Sequence, residues 1–329
     1  MIRIAAIVVT HRADALLARC LATLAAQERL PDEVVVVVSG PRAEVDLGGL
    51  AGAGIPARVL QLPHNPGYAA ACHVGADAST GELLLLNDDT ELQPGCIAAL
   101  ARAWTGPAHV YQPRIRLAGD PSRLDNVGHG LFPDGACWAL GRNGPDGVPA
   151  SPPGAFSGAA VLVPREAWRA TGGYDRRYGA WAEDLDLSLR LLRRGVTVLP
   201  VPEAIVHHHL GASHGRTGAD KLRALERNRT RAALRSLPWT LVAALPATTT
   251  ARYALAGALA LAGRGPGDGV PPDSRRAAIH GMLEGMLEAP TWLAERARDR
   301  AGWTLGERET LRAMWERRAR WEDLCRPAP

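Results

Sequence analysis

Two adjacent carboxylates, Asp88 and Asp89, close the apolar run ELLLLNDD. Like charges at the end of a buried strand need something opposite them. Hard oxygen ligands at this spacing suit Mg²⁺ or Mn²⁺, which keep waters and accept phosphate oxygens as further ligands. A solvated strand end or helix cap, with DDTELQPG as turn chemistry, explains the stretch equally well. A second acidic group, Glu183, Asp184 and Asp186, crowds the start of a helical run whose Leu185, Leu189 and Leu192 form an apolar stripe. Acids suit a helix N-terminus, and Asp186 can pair with Arg190 four residues on. That accounts for one or two of the three. The third group is His207-His208-His209. On a strand His207 and His209 share one face and His208 takes the other. A zinc site of adjacent histidines is therefore awkward, whereas one histidine joining a carboxylate-bound ion is not.

The elements that must position these groups alternate in type. IRIAAIVVT, DEVVVVVSG, PARVLQLP and ELLLLND read as strands, with ADALLARCLATLAAQ and YAAACHVGADAS as helices between them. Near-continuous apolar strands separated by helices indicate a mostly parallel α/β sheet covered on both faces. Ligands of such sheets bind at the carboxyl ends of the strands, where Asp88 and Asp89 lie. GRNGPDGVPASPPG is a Gly/Pro-rich loop, either a lid or a long connection. After it, AFSGAAVLVP reads as a strand, EAWRATGG as a short helix, AEDLDLSLRLLRRG as a helix and VTVLPVPEAIVHHH as a strand.

The 329 residues, 47% hydrophobic and 22% charged, are those of a globular protein with one large domain or two ordinary ones. The net charge of +4 is carried almost wholly by arginine, with no basic run interleaved with aromatics, so nucleic acid is not an expected partner. Five scattered cysteines without a CxxC pair fit a reducing cytosol better than a disulfide framework. MIRIAAIVVTH meets His11 and Arg12 too early for a signal peptide and reads as a first buried strand. No apolar stretch reaches 18 residues without a charge or proline.

From about residue 214 the chain turns basic and helical. Arg227, Arg229, Arg231 and Arg235 precede apolar segments broken by Pro246 and Arg252. A basic-then-apolar order can lie in a membrane interface through residues 214–263, or form a helical subdomain packed on the rest or on a second subunit.

Together the stretches VVTHRADALLARCLATLAAQ, HNPGYAAACHVGADASTGELLLLNDDTELQPG, FSGAAVLVPREAWRATGGYDRRYGAWAEDLDLSLRLLRRG and PEAIVHHHLGAS resemble the family 2 glycosyltransferases of the GT-A fold. The similarity is greatest to the rhamnosyl- and galactofuranosyltransferase-like branch. It implies a GT-A, Rossmann-like catalytic domain over residues 1–213 and a helical C-terminal region over 214–329. It also implies an inverting, metal-dependent transfer from a nucleotide sugar to a glycan, lipid-linked or small-molecule acceptor. By the same resemblance Asp89 and His208 hold Mn²⁺ or Mg²⁺, with His208 opening an H-x-x-G-x-S pattern completed by Gly211 and Ser213. Asp184 is the implied base. Thr10, Asn65, Gly67, Asn87 and Asp88 line the donor pocket, and Trp181, Glu183 and Asp186 lie on the acceptor side or support the base. The chain departs from the family at Val38, where an aspartate usually meets the nucleotide base, and at Asn87, which replaces the first carboxylate of a strict DxD.

Two other functions fit a similar sheet. A sugar-phosphate nucleotidyltransferase would need a Gly-rich basic loop near the first strand, which VVTHRADAL lacks. A GT-A-shaped scaffold that binds sugar nucleotides without turnover draws on Val38 and Asn87 alone. The expected location is the cytoplasm, with the inner face of the membrane as the alternative, and a homo-oligomer is left open.

Overall fold

The computed structural model describes residues 2–145, 151–210, 218–261, 272–320 and 323. The apolar runs of the first quarter become β1 (Ile4–Thr10), β2 (Glu33–Val38), β3 (Ala57–Gln61) and β4 (Glu82–Asn87), all parallel in the order β3-β2-β1-β4. Helices α1 (Ala15–Ala25), α2 (Gly48–Gly52) and α3 (Tyr68–Asp77) cross between them. Side chains alternate between two cores: Leu84 and Leu86 face one, with Leu17, Leu21 and Leu24 of α1, while Leu83 and Leu85 face the other, with Ala69 and Cys72 of α3. A strand buried on both sides must be apolar at every position. Burial of each such leucine contributes roughly 1.5–3 kcal/mol.

Beyond β4 the sheet becomes mixed. β5 (Thr90–Leu92) and α4 (Cys96–Ala103) lead to β6 (His109–Leu117), β7 (Asp120–Asn126) and the hairpin of β8 (His129–Leu131) and β9 (Cys137–Ala139). Then come β10 (Ala160–Val163), α5 (Arg165–Thr171), α6 (Glu183–Arg193) and β11 (Thr197–His208). The order continues β4-β10-β6-β11-β5, with β10 antiparallel to β4 and β6, β11 parallel to β6, and β5 antiparallel to β11. The sheet is therefore less parallel than the first half of the sequence indicates. Hydrophobic pattern reports that a run such as AVLV is a buried strand, not which way it runs beside its neighbours.

The C-terminal helices are α7 (Ala219–Ser236), α8 (Trp239–Ala243), α9 (Leu245–Leu261), α10 (Pro272–Leu287), α11 (Ala289–Asp299) and α12 (Glu307–Glu316). α7 packs on α6, with α10 and α11 against its other sides. Leu185, Leu189 and Leu192 of α6 share a core with Ala233, Leu237 and Trp292 of these helices. Of the two arrangements open to the basic stripe, an interface with a membrane or packing on the rest of the chain, most of its arginines take the second. Arg229, Arg231 and Arg235 are buried, pairing with Glu226 at 2.8 Å, Glu288 at 2.5 Å and Asp299 at 2.6 Å respectively. The cause is compensation, since a buried guanidinium survives only beside carboxylates and acceptors that replace its water. Arg252, which interrupts the apolar α9, likewise reaches Asp134 at 2.7 Å and Glu226 at 2.8 Å. Among the described residues no helix is long and apolar enough to cross a membrane.

Candidate active site

The carboxyl ends of β1, β2 and β4, the hairpin, the start of α6 and one flank of α7 enclose a cleft of ≈ 660 Å³. Asp88 and Asp89, adjacent in sequence, turn to different partners within it. Thr10 Oγ1 donates to Asp88 Oδ2 at 2.6 Å. Asp88 is held above the ordinary carboxylate range, first by burial and then by the charge of Asp89, against the lowering effect of the Thr10 bond. Asp89 is nearly buried, and its Oδ1 lies 3.3 Å from His208 Nε2 without hydrogen-bond alignment.

The far side of the His208 ring explains its orientation. Nδ1 donates to Asp125 Oδ2 at 2.8 Å, because a carboxylate can only accept. Without a metal, burial would lower the His208 pKa, but the hydrogen bond it makes to Asp125 and the nearby Asp89 carboxylate override that and raise it to about 10. Asp125 is in turn 3.3 Å from Arg142 Nη1. The three consecutive histidines part as strand geometry requires: His207 Nε2 meets Gln93 at 3.2 Å and His209 Nε2 meets Glu91 at 2.7 Å, so neither ring meets the Asp89 carboxylate, although His209 N donates to Asp89 O at 2.9 Å.

Asp184 enters from the first turn of α6. Its Oδ2 accepts from Gly158 N at 3.0 Å and its Oδ1 from Leu185 N at 2.8 Å, which fixes the plane of the carboxylate. Glu183 lies beside it, buried, with Oε2 lacking any hydrogen-bond partner. Desolvation, then the charge of Asp184, push the Glu183 carboxyl up to about 8. The rise reflects the cost of placing two negative charges side by side where water is excluded. The residues preceding α6, Trp181 and Ala182, both have left-handed backbone, with φ of 68° and 63°.

Against the loop before α6, Asn65 Oδ1 accepts from Gly67 N at 2.9 Å, and Gly67 opens α3 with φ of 88°. A Cβ on Gly67 would stand 2.8 Å from Gly179 Cα, so only glycine lets α3 approach the loop that carries Trp181. Val38 is fully buried in the core, and the cleft end of β2 is Ser39, whose Oγ donates to Thr10 O at 3.0 Å. No carboxylate from β2 lines the cleft.

Thr10, Asn65, Gly67, Asn87, Asp88, Asp89, Trp181, Glu183, Asp184 and His208 thus line one cleft. Asp186 does not. Its carboxylate is fully buried behind α6, held by Arg190 at 2.6 Å and by the Tyr178 hydroxyl at 3.0 Å, so it supports the helix rather than the cleft. Gly211 and Ser213 lie outside the described residues. Asp125, Arg142, Ser39 and Lys221 line the cleft without having been singled out from the sequence. Asp125 had only a weak signal, an acid after Leu124 in the turn-rich SRLDNVGHG, and its partner His208 is 83 residues away.

A mixed sheet with this cleft at its strand ends is the GT-A fold. It is shared with GalNAc-T7 solved with UDP, GalNAc and Mn²⁺ (TM-score 0.56, 17% identity, covering 71% of this chain and 48% of that one). It is shared too with S. aureus TarS in complex with UDP-GlcNAc (TM-score 0.55, 13% identity, 96% and 92%). A third likeness is the mannosyltransferase PcManGT from Pyrobaculum calidifontis with GDP-Man and Mn²⁺ (TM-score 0.52, 17% identity, 92% and 86%). The family model for glycosyl transferase family group 2 matches residues 83–261, more than half of the chain, and that for glycosyl transferase family 2 matches residues 5–144. The chain belongs to the family 2 glycosyltransferases.

Among curated relatives, an N-acetylglucosaminyl-diphospho-decaprenol L-rhamnosyltransferase of Mycobacterium tuberculosis is 44% identical over 73 residues, 22% of this chain and 24% of that protein. The O-antigen biosynthesis protein RfbC of Myxococcus xanthus is 27% identical over 217 residues, 58% of this chain and 16% of that protein. The chain therefore spans a quarter or less of the length of these relatives.

Proposed function

We propose that this protein is an inverting glycosyltransferase that moves a sugar from a nucleotide-diphosphate donor to an acceptor hydroxyl, with Mn²⁺ or Mg²⁺ as cofactor. The observation that carries the reading is the convergence of Asp89, His208 and Asp184 on one cleft beside Thr10, Asn65 and Gly67.

The residues present fit a divalent ion. Asp89 Oδ1 is buried, without an aligned donor, and faced by an imidazole nitrogen whose opposite side is tied to Asp125. Among the described residues no three His, Cys, Asp or Glu side chains form a closed metal cage. Two protein ligands and several open positions are what a cation shared with a diphosphate requires. When bound, such an ion neutralises charge that develops on the departing diphosphate.

Asp184 then acts as general base. It takes the proton of the acceptor hydroxyl as that oxygen bonds to the anomeric carbon from the face opposite the diphosphate. The bond to the diphosphate breaks with its electron pair leaving on phosphate oxygen. The mycobacterial relative acts, by its name, on a diphosphate-linked lipid glycan, and an acceptor of that class is the one we assign to this cleft.

The test is a panel of UDP-, dTDP- and GDP-sugars, because Ser39 and Val38 offer the base no carboxylate. Mn²⁺-dependent binding and transfer from one of them is expected, and Asp89→Ala should abolish the metal-dependent part of binding. Equal affinity with and without metal in the wild type would overturn the assignment of the metal ligands.

A further inference from the structure

Of the 38 lysine and arginine residues in this chain, one is a lysine, Lys221, and it lines the cleft. It sits in the first turn of α7, half-buried, and its ammonium makes no hydrogen bond or ion pair with any described residue. The charge facing it is that of Arg142 from the hairpin side. Arg142, which also lines the cleft, uses one nitrogen on Asp125, at 3.3 Å, and its side chain remains 42% exposed. Burial first, and the Arg142 charge second, hold the Lys221 ammonium below its ordinary pKa.

Other arginines of this wall do not share that condition. Arg229 and Arg252 are each neutralised by Asp134 and Glu226. Two cations that approach each other in a cleft, one wholly without a carboxylate, are stabilised by an anion set between them. Their place within the cleft selects which anion. Thr10, Ser39, Asn65 and Gly67 form the wall at the ends of β1 and β2, whereas Lys221 and Arg142 come from α7 and the region after β9. Between the two walls runs the contact chain Thr10–Asp88, Asp89–His208–Asp125–Arg142.

We propose that Lys221 and Arg142 form a phosphate-binding subsite on the acceptor half of the cleft, so that the acceptor is a phosphate- or diphosphate-linked glycan. The inference rests on the glycosyltransferase reading and adds to it the residues that select the acceptor's charge. A lysine ammonium serves as a point charge for phosphate and an arginine as a fork, and charge-assisted bonds of this kind are the strong ones.

The single lysine makes the test direct. Reductive ¹³C-methylation keeps the positive charge and gives one side-chain NMR signal, from Lys221, besides the terminal amine. The labelled protein is titrated with octyl diphosphate, with octanol, and with UDP, dTDP and GDP in the presence of Mn²⁺. Octyl diphosphate is expected to shift the Lys221 signal while a nucleotide with Mn²⁺ is already bound, and octanol is not. Lys221→Gln should weaken octyl diphosphate about tenfold or more, from the loss of one charge-assisted contact. It should leave nucleotide affinity unchanged, and Lys221→Arg should restore binding. A Lys221 signal moved by nucleotide and not by octyl diphosphate would assign the cations to the donor and overturn the acceptor subsite. A signal moved by neither, in protein that binds a nucleotide, would overturn the subsite and leave the glycosyltransferase reading standing. Failure to bind any of the three nucleotides with Mn²⁺ would remove that reading and the inference with it.

Discussion

Asn228, in the middle of α7, donates its amide to Trp181 O at 2.8 Å and thereby fastens the C-terminal helices to the loop that leads into Asp184. The same amide reaches Tyr178 O at 3.0 Å and Ala180 O at 3.3 Å, and the side chain is fully buried. Non-glycine residues in the left-handed region cost about 1–3 kcal/mol each. Trp181 and Ala182, three and two residues before Asp184, are both in it, and the clamp on Trp181 O offsets part of that cost.

Asn228→Ala removes this donor, and the buried bond to Tyr178 O alone is a loss of about 1–3 kcal/mol. We expect a lower melting temperature together with a kcat that falls more than the donor affinity does. Thermal melts paired with steady-state kinetics check this. A variant that melts early yet turns over at the wild-type rate at low temperature would show that the loop keeps its shape without the clamp.

Asp184→Asn keeps the side-chain volume and removes the base. General-base catalysis is worth ~10²–10⁴ in rate, so kcat should drop by at least the lower figure while metal-dependent nucleotide binding persists. Single-turnover transfer with a bound donor is the measurement, and a normal rate would exclude Asp184 as the base.

Glu183 gives the protein a pH-dependent stability whose sign can be worked out. Its carboxyl titrates at about 8 when folded against 4.5 ordinarily, chiefly because it is desolvated. Below the ordinary value both states hold the proton and the site has no effect. Between 4.5 and about 8 the unfolded chain has lost a proton that the folded chain still binds, so rising pH favours unfolding. Glu183→Gln has no such proton. The variant should therefore gain on the wild type in melting temperature as pH is raised through that window, with the gap levelling above it. A constant gap would mean that Glu183 is already ionised in the folded chain.

Asp125→Asn tests the orientation of His208. Partners that orient metal-bound histidines typically contribute 10–100-fold in metal affinity. Mn²⁺ affinity in the presence of bound nucleotide, read by electron paramagnetic resonance, should weaken by about that factor. Unchanged affinity would leave Asp125 as a partner of Arg142 alone.

The sequence by itself determined the strands that are buried on both faces, because a run such as Leu83–Leu86 between two cores tolerates no polar residue. It likewise determined that His208 faces away from His207 and His209, since alternation along a strand is a local property. It placed Asp89, Asp184 and His208 at element ends, where side chains can reach a shared cleft.

Tertiary structure alone decided what those ends meet. The antiparallel entry of β10 beside β4, the pairing of Asp125 with His208 across 83 residues, and the selection of Lys221 as a cleft cation all depend on distant segments coming together. Asp186 and the arginines of α7 make the same point in reverse. Local pattern offered Asp186 to a site and these arginines to a membrane surface, yet Asp186 meets Arg190 of its own helix and the Tyr178 hydroxyl, Arg229 meets Glu226 of its own helix, and Arg231 and Arg235 meet Glu288 and Asp299 from distant segments; a charge's role follows from what compensates it.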